Sequence, residues 1–286
     1  MNNQTSLSQK LKHYLKHPAS FVAMLLVLLA TLLTFAILFA LILYILVKGV
    51  PYIKPSLFAL HYDSNNASLM PALINTVIMT ALSLVIAVPF GIFSAIFLVE
   101  YAKRGNKFMG VIRMTTETLS GIPSIVYGLF GLLFFVNTLG WGFSILAGAF
   151  TLSIMILPLI MRTTEEALKA VPDSFREGSF GLGAGKLRTV FRIVLPSAIP
   201  GILAGVILAV GRIVGETAAL IYTAGTVAQV PSSVMGSGRT LAVHMYNLAS
   251  EGLHMDQAYA TAVILLVLVV AINTLSGIVA KKLTKA

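Results

Sequence analysis

Residues 20–47 form an apolar run of 28 residues without one charged side chain. As a helix this run would extend about 42 Å, more than the roughly 30 Å of a bilayer's hydrocarbon core. It is also too long for the core of a signal peptide, and no small-residue cleavage site follows it. The run therefore reads as a retained membrane span, residues 20–47, behind a polar N-terminal segment, residues 1–19. Further stretches obey the same length rule. Residues 71–99 suit a second span. Residues 118–161 are uncharged for 44 positions, enough for two spans with a turn at Asn137-Thr138-Leu139-Gly140-Trp141-Gly142. A fifth span should begin between Ile193 and Pro200 and run to Tyr222, and a sixth should cover Ala258–Ala280. The expected fold is all-α, with six transmembrane helices, the last five within residues 71–281.

Composition excludes a soluble globule. Apolar types make up 57% of the chain and charged types only 10%, where soluble domains carry about a quarter charged residues. With no cysteine there is no disulfide or thiolate metal site. The net charge of +10 could suggest nucleic acid, but its distribution argues for a membrane instead. Sixteen basic residues fall on one side of a six-span topology, around residues 10–16, 103–113, 162–192 and 281–285. Only Lys48, Lys54 and Arg239 fall on the other, and Arg212 lies within a span. The positive-inside rule then predicts a multi-pass protein of the plasma membrane with both termini in the cytoplasm and no nucleic-acid partner.

The segment 162–199 is more than a connector. Pro172 suits a helix start, and Asp173 and Glu177 suit its first turns. Val171, Phe175, Leu182 and Leu187 supply apolar points, and Gly181-Leu182-Gly183-Ala184-Gly185 should break the helix. A second short amphipathic stretch, Lys186 to Val194, leads into Leu195-Pro196. Such an element either docks into a partner's groove or rests on the membrane surface. Its spacing resembles the EAA motif of ABC importer permeases. Glu177-Gly178-Ser179 is followed after three residues by Gly183, and after nine more by Ile193-Val194-Leu195-Pro196. Gly178 and Ser179 stand where that motif has two alanines. The resemblance implies a type I ABC importer permease (MetI-like) architecture. Glu177, Gly178, Ser179, Gly183, Ile193, Leu195 and Pro196 would then couple the chain to an ATP-hydrolysing subunit.

Two intramembrane segments bear on the cargo. Gly121, Pro123 and Gly128 lie close enough together, around Ser124, to break or kink the third span. In the fifth span Arg212 and Glu216 stand at i and i+4, so on a continuous helix they share a face and can pair. Counted from Pro200, Arg212 lies roughly 18 Å along the helix, past the bilayer midplane. Ionised groups at that depth cost about 2.5–3.5 kcal/mol each on insertion scales, so they face protein or a wet pathway. A substrate pathway and an inter-helix bridge are both compatible with the spacing. Gly121-Ile122-Pro123-Ser124-Ile125-Val126-Tyr127-Gly128, Arg176-Glu177-Gly178 and Gly211-Arg212-Ile213-Val214-Gly215-Glu216-Thr217 resemble, in order and spacing, the A-type permeases of phosphate-specific ABC importers. The resemblance covers about residues 70–280. It implies a phosphate pathway built with a second, similar permease, a dimer of ATP-binding subunits carrying ATP and magnesium, and a periplasmic phosphate-binding protein. It also implies a role for Arg212 in substrate passage, with Glu216, Thr217 and Ser124 beside it. A carboxylate there could accept a hydrogen bond from protonated phosphate, which sulfate cannot offer.

Other classes are weaker. Gly183-Ala184-Gly185-Lys186 is not a nucleotide-binding loop, because Phe180 and Leu187 occupy the glycine and Ser/Thr positions that loop requires. No cofactor or metal is expected on this chain, and no catalytic group. His13, His17, His61, His244 and His254 lack metal-ligand spacing and read as solvated or interfacial. A permease for another oxyanion or small solute remains open, as does an ion-coupled secondary transporter. The latter would have to build its relay from Arg212 and Glu216 alone. Residues 223–257 form an outer segment that could contact a binding protein, plug the mouth or merely pack.

Overall fold

The computed structural model describes residues 18–102 and 107–285. The chain divides into two compact units, one ending at Lys48 and the other starting at Gly49. Helix α1, Pro18–Gly49, supplies the first. It is apolar all round and exposes Leu26, Val27, Phe35 and Phe39 along its length, as a helix facing lipid must.

In the second unit α2, Met70–Ile96, runs on through a wide π-type turn, Phe97–Tyr101. Then come α3, Lys107–Ser120, and α4, Ser124–Gly131, which continues as a π-type stretch, Leu132–Thr138. The turn that follows has two glycines at positive φ, Gly140 and Gly142, and Trp141 folds back to stack on Phe135, 5.3 Å between ring centres. Helix α5, Ile145–Lys169, is the most buried of the candidate spans and forms the centre of the unit. Met79 of α2, Leu152, Ile156 and Ile160 of α5, and Ile213 and Leu220 further on make one apolar core. With lipid outside, burial of hydrocarbon gives no contrast between neighbours, so close backbone approach and interhelical hydrogen bonds hold the helices together. Ser83 Oγ of α2 donates to the Ala149 carbonyl at 3.2 Å, and Ser153 Oγ donates back to the Ser83 carbonyl at 3.1 Å.

Helix α6, Asp173–Gly181, is the short helix expected after Pro172, and the chain bends behind it at Gly183, φ +80°. The next segment differs from expectation. Instead of a separate amphipathic stretch and a span starting at 193–200, one continuous helix runs from Lys186 to Val214. It comprises α7, Lys186–Thr189, a π-type turn, Val190–Val194, and α8, Leu195–Val214. Pro196 has no N–H for its helical partner, and the wide turn just before it absorbs the mismatch without a break. Gly201 and Gly205 of α8 lie against Ala167 and Thr163 of α5, so the two helices cross antiparallel at close range.

The fifth span also ends earlier than its composition suggests. The helix stops at Val214 and resumes only as a single turn, α9, Ala218–Ile221. Residues 222–240 then form a loop, followed by α10, Leu241–Glu251, and α11, Met255–Lys285. The loop serves the start of α5, where helix geometry leaves backbone N–H groups without partners. Ile145 N donates to the Gly236 carbonyl at 3.0 Å, Leu146 N to the Val234 carbonyl at 2.9 Å, and Ala147 N to Ser144 Oγ at 3.2 Å. Loop 225–238 therefore sits at the opposite end of α5 from α6.

His244 corrects the expectation of a solvated or interfacial imidazole: it is fully buried in α10. His13 and His17 lie outside the described residues. Among the described residues no cluster of His, Asp and Glu has the makings of a metal site.

Candidate functional site

The third span is broken rather than kinked, and it begins earlier than residue 118. Helices α3 and α4 meet at 102° across Gly121-Ile122-Pro123. The cause is local. The Leu119 carbonyl would accept from residue 123, and a proline there has no N–H to give. Ile122 N donates to that carbonyl instead at 3.1 Å, and the Tyr127 hydroxyl donates to it at 2.7 Å. Gly128 lets α4 approach α9: a Cβ there would lie 2.8 Å from the Ala219 Cα and 3.2 Å from its carbonyl oxygen. Both partners are backbone, so Gly128→Val should force α4 and α9 apart and destabilise the chain by about 1–3 kcal/mol. Gly121→Ala, which meets only an ordinary 3.5 Å contact, should be far milder. Thermal denaturation of both variants in detergent checks this, and equal midpoints would refute it.

The break in the fifth span separates Arg212 from Glu216. Their i, i+4 spacing would pair them only on a continuous helix, and here Glu216 lies beyond the helix end. No ion pair joins them. The buried Glu216 carboxylate instead turns onto the backbone, where Oε1 accepts from Ala219 N at 3.1 Å and caps α9. An acid that finds a free backbone N–H competes with the helix, and Gly215 lowers the cost of breaking there. Thr217 occupies the N-cap position of α9 without a side-chain capping bond, and Ser124 opens α4. Neither these two nor Glu216 lines the cavity that contains Arg212.

That cavity, about 550 Å³, runs from Pro158 and Arg212 deep in the unit to Lys169 at the end of α5. Its charged lining comprises four basic residues, Arg113, Arg162, Lys169 and Arg212, and three acidic ones, Glu117, Glu165 and Glu166. Toward the mouth these charges are paired. Glu165 accepts from Arg113 Nε at 2.9 Å and from Lys169 Nζ at 2.6 Å, and Glu166 accepts from Arg162 Nε at 3.2 Å. Glu117 and Arg212 enter no ion pair among the described residues. Ser120, the last residue of α3 before the third-span break, lines the same cavity as Arg212. The two segments that the sequence singled out thus meet at one place, although only Arg212 of the four expected pathway residues lines it. Arg113, Glu117 and Glu165 were not foreseen. The signal for Arg113 and Glu117 was the amphipathic stretch before residue 118, from which Arg113 reaches Glu165 of α5.

At the other end of this cavity lies the 162–199 segment. Ser179 and Thr189 are buried, and their hydroxyls hydrogen-bond at 2.8 Å, closing α6 against α7. Glu177, Gly178 and Gly183 are exposed; Ile193 and Leu195 are half-buried; Pro196 is exposed. Leu182 is 90% exposed, and Phe175, Phe180 and Leu187 are exposed beside it. One anchor was missed: Arg176 donates to Glu100 at 2.7 Å and to the Leu168 and Val171 carbonyls at 2.9 Å each. It fastens α6 to the ends of both α2 and α5.

Residues 87–285 match the family model described as binding-protein-dependent transport system inner membrane component. The chain belongs to this family. Two relatives fix its neighbourhood. It is 35% identical over 268 residues to the probable ABC transporter permease protein YqgI of Bacillus subtilis, covering 84% of this chain and 89% of that one. It is 35% identical over 211 residues to the phosphate transport system permease protein PstA 1 of Mycobacterium tuberculosis, covering 73% and 69%. Among solved structures, a bacterial alginate ABC transporter chain superposes with a TM-score of 0.70 at 15% identity, covering 96% of this chain and 98% of that one. A chain of the MetNI methionine ABC transporter gives 0.58 at 21%, covering 84% and 97%. The fold is therefore the all-helical one of type I ABC importer permeases.

Proposed function

We propose that this permease forms, with a second similar permease, the path by which inorganic phosphate enters a bacterial cell across the inner membrane. The observation that carries this reading is Arg212, a guanidinium without an ion-pair partner among the described residues, lining a charged cavity. A planar fork of N–H donors suits the oxygens of phosphate. The identity with permeases named for phosphate transport supports the same cargo. Glu117, the acid that shares the cavity without an ion pair, takes the place first considered for Glu216 as acceptor for the phosphate proton.

Energy enters through a separate pair of ATP-binding subunits, since this chain carries no nucleotide loop of its own. The exposed apolar tip of the 162–199 segment docks there, with the EAA-like residues Glu177 to Gly183 at the contact and Ile193, Leu195 and Pro196 at the return into the membrane. Both termini lie in the cytoplasm, and a binding protein delivers phosphate from outside. The complex with its partner subunits, reconstituted in liposomes, should take up labelled phosphate only with ATP at the coupling face, and collapse of the proton gradient should not stop it. Uptake of another solute without phosphate uptake would overturn the cargo. Uptake driven by the gradient alone would overturn the mechanism.

A further inference from the structure

Two cations at the mouth of the Arg212 cavity converge on one oxygen. Arg113 Nε, from α3, lies 2.9 Å from Glu165 Oε1. Lys169 Nζ, at the end of α5, donates to the same Oε1 at 2.6 Å. One carboxylate thus serves two positive charges and cannot neutralise both. The side chains of Arg113 and Lys169 are 44% and 52% exposed, whereas that of Glu165 is 14% exposed. Ion pairs whose cations keep this much water stabilise a fold little.

The position of Glu165 Oε1 is a point where an anionic oxygen meets two charged donors at hydrogen-bond distance. All three side chains line the cavity, whose 550 Å³ is many times the roughly 30 Å³ that one water takes in the liquid. Arg113 brings a planar fork and Lys169 a compact charge, both suited to the oxygens of a tetrahedral anion. The other charges of the lining are Arg212, Arg162, which is paired with Glu166 at 3.2 Å, and Glu117, one turn from Arg113 on α3.

We propose that Arg113 and Lys169 form an exit station for a tetrahedral oxyanion of the phosphate class, and that the Glu165 carboxylate holds the place of that anion between passages. The anion released by Arg212 displaces Glu165, binds the two cations, and departs as Glu165 returns. The direction of passage rests on the function proposed above; the station itself rests on the triad. Because Glu165 is tethered beside the site, it competes at a high effective concentration. Its charge also repels the bound anion. Both effects keep binding weak, and a station that passes ions on must hold them weakly enough to let them leave.

The test titrates labelled phosphate into the purified complex of permeases and ATP-binding subunits, without a binding protein. Every sample carries Arg212→Gln, which removes the deep cation, and ADP fills the nucleotide sites. Adding Glu165→Gln leaves two half-solvated cations, which the fold tolerates. It should tighten phosphate binding by at least about tenfold, the equivalent of one charge-assisted hydrogen bond gained. Adding Arg113→Gln as well should cancel the gain. Binding unchanged by Glu165→Gln overturns the station, as does a gain that survives Arg113→Gln. With Arg212 intact, Glu165→Gln should lower the maximal uptake rate without raising the phosphate concentration at half-maximal rate, and an unchanged maximal rate overturns the exit role. Tightened binding in a complex that takes up no phosphate would strike the proposed cargo and leave the station standing. Phosphate uptake by the parent complex without tightened binding in the variants would do the opposite.

Discussion

Arg176→Ala should leave the chain in the membrane and uncouple it. The side chain of Arg176 is only 14% exposed and that of its partner, Glu100, 8%. Removing the arginine strands a nearly buried carboxylate and frees the Leu168 and Val171 carbonyls that it also holds. Breaking such a pair from one side costs about 3–5 kcal/mol. The loss is local, because α6 has little else to fix it. Its apolar residues Phe175 and Phe180 are exposed, and its buried polar tie to α7 is the Ser179–Thr189 hydrogen bond. In reconstituted complexes, uptake should fall at least about tenfold, the equivalent of ~1.4 kcal/mol, while ATP hydrolysis continues. Amide exchange should rise across residues 173–189 and stay unchanged in α2 and the body of α5. Arg176→Lys should recover only part of this, since one ammonium cannot span a carboxylate and two carbonyls. Normal uptake in the alanine variant would show that α6 is held by its partner subunit and not by Glu100.

Arg212→Gln should do the reverse and spare stability while removing transport. Arg212 has no ion pair among the described residues to lose, so its replacement by an uncharged side chain of similar reach should move the melting midpoint little. A hydrogen bond to a charged group contributes about 1.5–3 kcal/mol, so uptake at limiting phosphate should fall roughly 10–150-fold. Measured initial rates against phosphate concentration decide it. Uptake within twofold of the parent protein would sink the assignment of Arg212 to the pathway. A large drop in midpoint together with the loss of uptake would instead point to a bridge between helices.

The helical membrane character of this chain was legible in the sequence because it depends on properties that no packing can reverse. A 28-residue uncharged run must leave water whatever surrounds it, as must a 44-residue one. Pro172, Gly183 and the acids between them likewise determined a short helix and a bend, since proline and a left-handed glycine act on their own backbone. The spacing of residues 177–196 that resembles the EAA motif was readable for the same reason, as a matter of position along the chain.

What the sequence could not determine was continuity. A span of given composition can be one helix or two, and the choice rests on where buried polar groups find partners. Pro196 looked like a boundary and is absorbed within one helix by a wide turn. Gly215 lay within the expected fifth span and marks a helix end, because the Glu216 carboxylate gains the Ala219 N–H only when the helix stops. That one break removed the Arg212–Glu216 pairing that the spacing allowed and left Arg212 facing a cavity whose other charges come from α3 and α5. The burial of His244 and Arg239 was equally hidden, since a polar residue in an extramembrane segment carries no sequence mark of the loop that will cover it. Composition and spacing determined where the chain must be; only the tertiary structure decided which charges meet, because meeting is settled by the partners that buried polar groups can reach.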